Sequence, residues 1–224
     1  MQDTGIIRYN ERVTAGNYSQ LAERYLEETE QILESARWNM KGQRSGVEIG
    51  TTTVECSRSD ENGRQITHHS PTVKASVLIQ APRAELFSFL SQPERAAEWD
   101  TTDLGFKMVE AFDPQHQVYT NVNKFPLIGL RSSVLFSASR PDFSEKSSLH
   151  CIRAIQHAQI TATEHRPIYQ QVFAWLVEDH IEGKCRVTAV STAPEGMLPF
   201  WLLKILSPPG WRSILLNIKA LHEQ

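Results

Sequence analysis

The amino-acid sequence predicts an α+β domain in which one curved antiparallel sheet packs against a few helices. Three observations predict it. An amphipathic helical pattern lies near the start of the chain, short β-branched runs at hairpin spacing fill the middle, and a long apolar helical pattern occupies the end. Strands that follow one another, without regular alternation with helices, are typical of α+β domains rather than of parallel α/β folds.

Size and charge narrow the classes of function. The 224 residues predict one domain with a substantial core. A formal net charge of −3 provides no basic field for nucleic acid. The cysteines Cys56, Cys151 and Cys185 are far apart and odd in number, which is typical of a reducing compartment. Because the first residues show no secretory or lipidation pattern, we expect a cytoplasmic protein.

The first helix is predicted from Asn17 to about Ala36. Asn17 provides a possible N-cap, and apolar residues then recur at helical spacing on one face. The opposite face is rich in glutamate, which indicates an amphipathic helix packed on a sheet. Residues 1–16 are polar and without a periodic pattern, so we expect a flexible tail there, followed by a single domain over residues 17–224.

Runs rich in β-branched residues predict the strands. Two of them precede a pair of short helices that begin near Pro82 and Pro93. The others are separated by turn-like segments such as Asp-Pro and Glu-Gly-Lys. The strand-like runs are Gly46–Cys56, Thr72–Gln80, Gly105–Phe112, Gln117–Lys124, Arg131–Arg140, Ser147–Ile155, Gln170–Glu178 and Cys185–Ala193. Such a sheet either fills its inner face with its own side chains or leaves a cavity for a ligand.

The segment from Gly196 to Gln224 predicts a long helix that is apolar almost all round. Charged residues interrupt it too often for it to span a bilayer. Pro208 and Pro209 remove helical hydrogen bonds and are expected to kink it. The helix is either a lid or an ordinary helix that closes one end of the sheet. Its main stripe is Leu203, Leu206, Gly210, Ile214, Ile218 and Leu221.

Known catalytic motifs are absent from the sequence. It has no Gly-rich phosphate loop, no zinc-ligand spacing and no G-x-S-x-G pattern. The pair His68-His69 lies in a polar loop, and adjacent side chains of an extended chain point in opposite directions, so we interpret the pair as surface residues. We therefore expect no cofactor, no bound metal and no enzymatic activity.

Several stretches of the chain carry a resemblance to a known family. They are Trp38 with Gly46-Val47, Trp99-Asp100 followed by GFKMVEAFD, PLIGLR at 126–131 and GMLPFWLLKIL at 196–206. In order and spacing they resemble the START domain, the lipid-transfer family related to the steroidogenic acute regulatory protein. The resemblance runs from about residue 20 to the end of the chain. The resemblance implies a helix-grip fold, in which a curved antiparallel sheet wraps around a long C-terminal helix and encloses an apolar tunnel.

The resemblance also implies a function: binding of one lipid and its transfer between membranes, without catalysis. In that family the tunnel is gated by the terminal helix and by a loop that corresponds to residues 123–130 here, just before the strand that begins at Arg131. Its apolar tip either enters a membrane interface or packs on the terminal helix. We expect a monomer with transient membrane contact, gated by Phe125, Leu127, Ile128 and Trp201.

Departures from the family bear on the identity of the lipid. Where the steroid carriers have an inward carboxylate and an inward arginine, this chain has Val118 and Ser137, which removes a polar anchor for a sterol. Where the phosphatidylcholine carrier has two aromatic residues of its choline cage, this chain has Thr120 and Ser133. The resemblance thus favours a phospholipid over a sterol but provides no complete choline site.

A further departure concerns the phosphate of a phospholipid. The phosphatidylcholine carrier holds it with an arginine three residues before the Trp-Asp pair, where this chain has Ala96. Arg95 lies one place earlier, about 100° away on a helix, and either reaches the ligand after a small rotation or is a solvated surface residue. Asp100 matches the family.

Alternation along the strands, anchored on these matches, gives an expected lining of the tunnel. Hydroxyl groups among apolar residues suit a ligand with a modest polar head, although each position is equally compatible with plain core packing. Besides Arg95 and Asp100, the expected lining is Phe106, Met108, Val118, Thr120, Val122, Ser133, Leu135, Ser137, Gly210, Ile214 and Ile218.

Two other functions are compatible with the same fold. A helix-grip enzyme of the cyclase or hydrolase type would need inward-facing acid and base groups, and the expected lining contains no such constellation. A lipid sensor would bind tightly but would exchange its ligand slowly and would not shuttle it.

Overall fold

The computed structural model describes residues 6–59, 64–125, 128–160, 165–195 and 199–223. The helices are α1 (Tyr18–Ser35), α2 (Arg83–Ser91), α3 (Ala96–Trp99) and α4 (Phe200–His222). The strands are β1 (Ile6–Arg8), β2 (Glu11–Arg12), β3 (Asn39–Arg44), β4 (Val47–Ser59), β5 (Gln65–Ile79), β6 (Asp103–Asp113), β7 (His116–Phe125), β8 (Gly129–Ser144), β9 (Ser147–Gln156), β10 (Phe173–Asp179) and β11 (Cys185–Thr192).

The strands form one large sheet in the order β1-β4-β5-β11-β10-β9-β8-β7-β6. Its long strands are antiparallel to their neighbours, whereas the short β1 is parallel to β4. Off this path, β3 pairs with β4, and β2 pairs with the end of β9. The predicted α+β fold with a curved antiparallel sheet and a long C-terminal helix is confirmed.

Helices pack on both faces of the sheet. On one face, α1 packs through Leu21, Ala22 and Tyr25 against Val118 and Phe136 of β7 and β8. On the other face, α2, α3 and the second half of α4 pack over β5, β10 and β11. Because α1 buries the outer face of β7 and β8, hydrophobic alternation along these two strands does not by itself identify the inner face.

The N-terminal segment is part of this packing, which differs from the flexible tail expected over residues 1–16. Within the described part, β1 pairs with β4, and Ile7, Tyr9 and Val13 are buried. The Tyr9 hydroxyl donates a hydrogen bond to the Glu195 carboxylate. Strand pairing, backbone hydrogen bonds and three buried apolar side chains thus hold this segment on the sheet.

Helix α4 continues through Pro208 and Pro209. Proline lacks the backbone N–H that would bond to the carbonyl four residues earlier, so the carbonyls of Lys204 and Ile205 have no helical donor. The helix therefore has a weak point near its middle. None of the described helices is long and apolar enough to cross a membrane.

Candidate functional site

A cavity of about 540 Å³ lies between the inner face of the sheet and α4. This volume is typical of sites that enclose a small-molecule ligand. Side chains from the sheet, from the α2–α3 region, from the β7–β8 connection and from the first two-thirds of α4 form its wall. The apolar wall residues include Leu90, Trp99, Phe106, Leu135, Ile152, Ile168, Phe173, Leu203, Leu206, Trp211 and Ile214.

The structure brings eight of the residues expected from the sequence to the cavity wall. Six belong to the expected lining and two to the expected gate: Asp100, Phe106, Ser133, Leu135, Gly210, Ile214, Phe125 and Ile128. Whether they contact a ligand stays a prediction. Leu127 lies outside the described residues, and the same holds for the side chain of Trp201.

The expected inner face of β7 is wrong by one residue. In an antiparallel pair, residues opposite each other point to the same side of the sheet. Val118 lies opposite Phe136 and is buried under α1, away from the cavity. Thr120 and Val122 alternate with the residues that line the cavity and face the same way as Val118. The β7 residues that line the cavity are Tyr119, Asn121 and Asn123.

Four other expected lining residues also lie elsewhere. Arg95 is half-buried at the surface: its Nε lies 2.7 Å from Glu98 Oε1 and its guanidinium lies over the Phe89 ring, so of its two possible roles the structure shows the surface one. Met108 is exposed on the edge strand β6, where register shifts interrupt the alternation. Ser137 is buried, and its hydroxyl faces the Gln117 carbonyl at 3.5 Å. Ile218 lies in the main core.

Polar side chains cluster at the end of the cavity near the β7–β8 connection. Asn121 Nδ2 donates to Asn123 Oδ1 at 2.9 Å. Asp103 Oδ1 accepts a hydrogen bond from the Gly105 N–H at 2.7 Å. Burial raises the pKa of Asp103, while the hydrogen bonds from Gly105 and the Asn121 side chain oppose that shift. Burial also raises the pKa of Tyr119, so its phenol stays protonated.

Asp100 lies at the same end but is engaged locally. Its Oδ1 accepts hydrogen bonds from the backbone N–H and the hydroxyl of Thr102, both at 2.8 Å. This geometry fixes the turn between α3 and β6. The match of Asp100 to the family pattern therefore has a structural explanation as well as a functional one.

The opposite end of the cavity contains His150. It is buried, and its Nδ1 lies 2.7 Å from the Ser139 hydroxyl oxygen. Burial lowers the pKa of His150 to about 4, so the imidazole is neutral at pH 7. It is a polar but uncharged part of the wall.

Aromatic rings form the wall between these two ends. Trp99 meets Trp175 edge to face at 5.4 Å between ring centroids, and Trp211 of α4 stacks on Phe173 at 5.5 Å. Edge-to-face and offset pairs of this kind add to the stability from burial alone. No pattern in the sequence identified these rings as neighbours, because they come from α3, β10 and α4. Within the described residues, no cluster of His, Cys, Asp and Glu is arranged to hold a metal ion.

Comparisons with solved structures agree with this architecture. No protein-family model matches the sequence, and no curated protein sequence matches it. The structure is similar to human StAR-related lipid transfer protein 5, with a TM-score of 0.77 and 14% identity over 94% of this chain and 99% of that one. It is also similar to the lipid transfer and protein localization domain of human StarD13, with a TM-score of 0.67 and 16% identity over 88% of this chain and 94% of that one.

A bacterial enzyme shares part of the architecture. The Zhui aromatase/cyclase from Streptomyces sp. R1128 has a TM-score of 0.54 and 12% identity over 69% of this chain and 94% of that one. At these identities, the likenesses show a common fold.

Proposed function

We propose that this chain, which has the fold of the START domains, binds one lipid in the cavity under α4 and carries it between membranes. The observation that supports this most directly is the cavity itself. Its wall is mostly apolar, and one side of it is α4, which lacks two backbone hydrogen bonds at Pro208 and Pro209. Each methylene group transferred into such a site contributes about 0.8 kcal/mol. The lipid-transfer proteins of similar structure are consistent with the proposal.

The volume of the cavity constrains the ligand. A volume of about 540 Å³ lies within the range of cavities that hold one small-molecule ligand. We therefore propose one lipid molecule in the cavity. The preference for a phospholipid stays a prediction.

Exposed apolar residues on α4 support a membrane contact. Ile205 is 61% exposed and Leu206 is 42% exposed, and Leu206 also lines the cavity. On the β7–β8 connection, Phe125 and Ile128 line the cavity too. In the proposed opening, the first half of α4 moves away from this connection while both enter the membrane interface.

The enzyme alternative has less support. It requires a close acid–base pair, and Asp103 and His150 are at opposite ends of the cavity. Asp103 lies opposite Asn123, which lies opposite Arg131 of β8, whereas His150 lies opposite Ser139 of the same strand. Eight residues of a fully extended strand span at most about 26 Å, so the two residues enter the cavity from well-separated backbone positions. Neither is a hydrogen-bond partner of the other: Asp103 accepts from Gly105, and His150 is bonded to Ser139.

Native mass spectrometry of the purified protein tests the proposal directly. We expect one lipid per chain, carried from the expression host. The delipidated protein should then extract labelled lipid from donor vesicles and deliver it to acceptor vesicles. Tight binding with exchange too slow to populate acceptor vesicles would identify a sensor. If no lipid is carried and none is extracted from vesicles of mixed composition, the proposed function is wrong.

A further inference from the structure

The Asn121 side chain presents an unused hydrogen-bond acceptor to the cavity. Its Oδ1 is buried and has no partner among the described residues, although its Nδ2 donates to Asn123 Oδ1 at 2.9 Å. A buried polar atom without a partner is costly. Because Asn121 lines the cavity, a ligand is the natural source of the missing donor.

The Asn121 amide uses one of its two polar atoms within the protein. Its Nδ2 group donates to Asn123 Oδ1, so Oδ1 is the atom left for the ligand.

The same cluster disfavours ligands with a negative charge. Asp100 and Asp103 both line this end of the cavity, and an anion placed beside them would be repelled. The guanidinium of Arg131, which lies opposite Asn123 on β8, instead donates to the Leu130 carbonyl at 2.8 Å. Tyr119 also lines the cavity, and burial keeps its hydroxyl protonated.

We propose that the cavity selects lipids whose polar head is uncharged and donates a hydrogen bond, as a hydroxyl or an amide N–H does, and that Asn121 Oδ1 accepts it. This inference rests on the proposed lipid binding and names the chemistry of the head group that the cavity accepts.

Three probes of similar alkyl-chain length test this proposal: hexadecanol, hexadecyl methyl ether and palmitate. Their affinities are measured by displacement of a fluorescent long-chain alcohol at neutral pH. The alcohol donates a hydrogen bond, the ether only accepts, and palmitate is an anion. We expect the alcohol to bind about 10-fold more tightly than the ether, as for the loss of one buried hydrogen bond, and palmitate to bind most weakly.

Variants assign the selectivity to the residues. Asn121→Leu should reduce the preference for alcohol over ether to about 1, whereas Thr120→Leu, on the other face of the same strand, should keep it.

The outcomes separate this inference from the proposed function. Equal affinity for alcohol and ether in the wild-type protein would overturn the assignment while leaving lipid binding intact, and this measurement needs no variant to fold. An undiminished preference for alcohol over ether in Asn121→Leu would also overturn the assignment, since another group would then bind the hydroxyl of the ligand. Failure of the wild-type protein to bind any of the three probes would overturn the proposed function as well.

Discussion

The two halves of α4 differ in what lies beneath them. After Gly210, Leu215 and Ile218 are fully buried against α2 and the sheet. Before it, Ile205 is 61% exposed. At Gly210 itself, an added Cβ would meet no atom within 4 Å. The same apolar helical pattern therefore forms cavity wall as far as Ile214 and core beyond it.

This difference separates stability from binding along a single helix. The buried half supplies dense packing, so its side chains hold the domain together. The first half lies over the cavity, and Pro208 and Pro209 remove two of its backbone hydrogen bonds. It is therefore easier to displace than the second half. Elements that must open for function are expected to come from the less stable parts of a fold.

The largest effect is expected from filling the cavity at Ile214, where the cavity wall meets the core. Ile214 lines the cavity, so Ile214→Trp should place an indole ring in the space meant for the ligand and abolish lipid loading. Overpacking costs typically about 1–3 kcal/mol, which should leave unfolding cooperative. Native mass spectrometry measures loading, and thermal unfolding checks the fold.

Leu221→Trp is the matched control, because Leu221 is exposed near the end of the same helix. It should load lipid like the wild-type protein. Normal loading of Ile214→Trp would show that Ile214 does not contact the ligand and would remove the distinction between the halves.

The next effect is on stability and should be confined to the anchored half. Leu215→Ala removes a fully buried side chain from the core and should cost about 3 kcal/mol of unfolding free energy. Ile205→Ala should cost less than about 0.5 kcal/mol, since that side chain is largely exposed. Urea unfolding with an unchanged slope measures both. Similar losses in the two variants would mean that both halves are equally part of the core.

Membrane contact should depend on the half over the cavity. Replacing Ile205 and Leu206 by serine removes two partly exposed apolar side chains. Losing about 1 kcal/mol of interfacial burial from each should weaken vesicle binding about 30-fold. Co-sedimentation with neutral vesicles measures it. Ser213→Ala, an exposed change in the other half, should leave vesicle binding unchanged; equal weakening by both would exclude a localised contact.

Much of this architecture could be predicted from the sequence, and the error on β7 shows where prediction stops. The sequence predicts Val118, Thr120 and Val122 on the cavity side, but they face the α1 side, and their neighbours Tyr119 and Asn121 line the cavity instead. A ligand cavity accepts polar groups that a helix-packed face does not. Alternation gives two faces, and only strand pairing decides which one is inner.

On β8 the sequence predicts inward-facing residues on the side of the strand that does face the cavity. Ser133 and Leu135 line the cavity and lie opposite Asn121 and Tyr119 of β7. The two assignments were incompatible with each other, because cross-strand partners share a face. The aromatic wall of Trp99, Phe173 and Trp211 could not be predicted either, since its members meet only through long-range contacts.

The smallest effect in our set concerns the proline pair that separates the two halves. Replacing Pro208 and Pro209 by alanine returns two backbone donors to the carbonyls of Lys204 and Ile205 and stiffens the helix. If opening of the first half limits exchange, lipid transfer between vesicles should slow about fivefold for about 1 kcal/mol of added stability, while equilibrium loading stays the same. Stopped-flow transfer of a fluorescent lipid measures the rate.

Ser213→Ala again serves as the control for the proline prediction, because it raises helix propensity in the anchored half without touching the prolines. Slowing by both variants would attribute the effect to overall stability of the helix. Slowing by the proline variant alone would locate the hinge where backbone hydrogen bonding is interrupted. An unchanged rate in both would show that α4 does not have to bend for the ligand to leave, and that the exit lies along the β7–β8 connection instead.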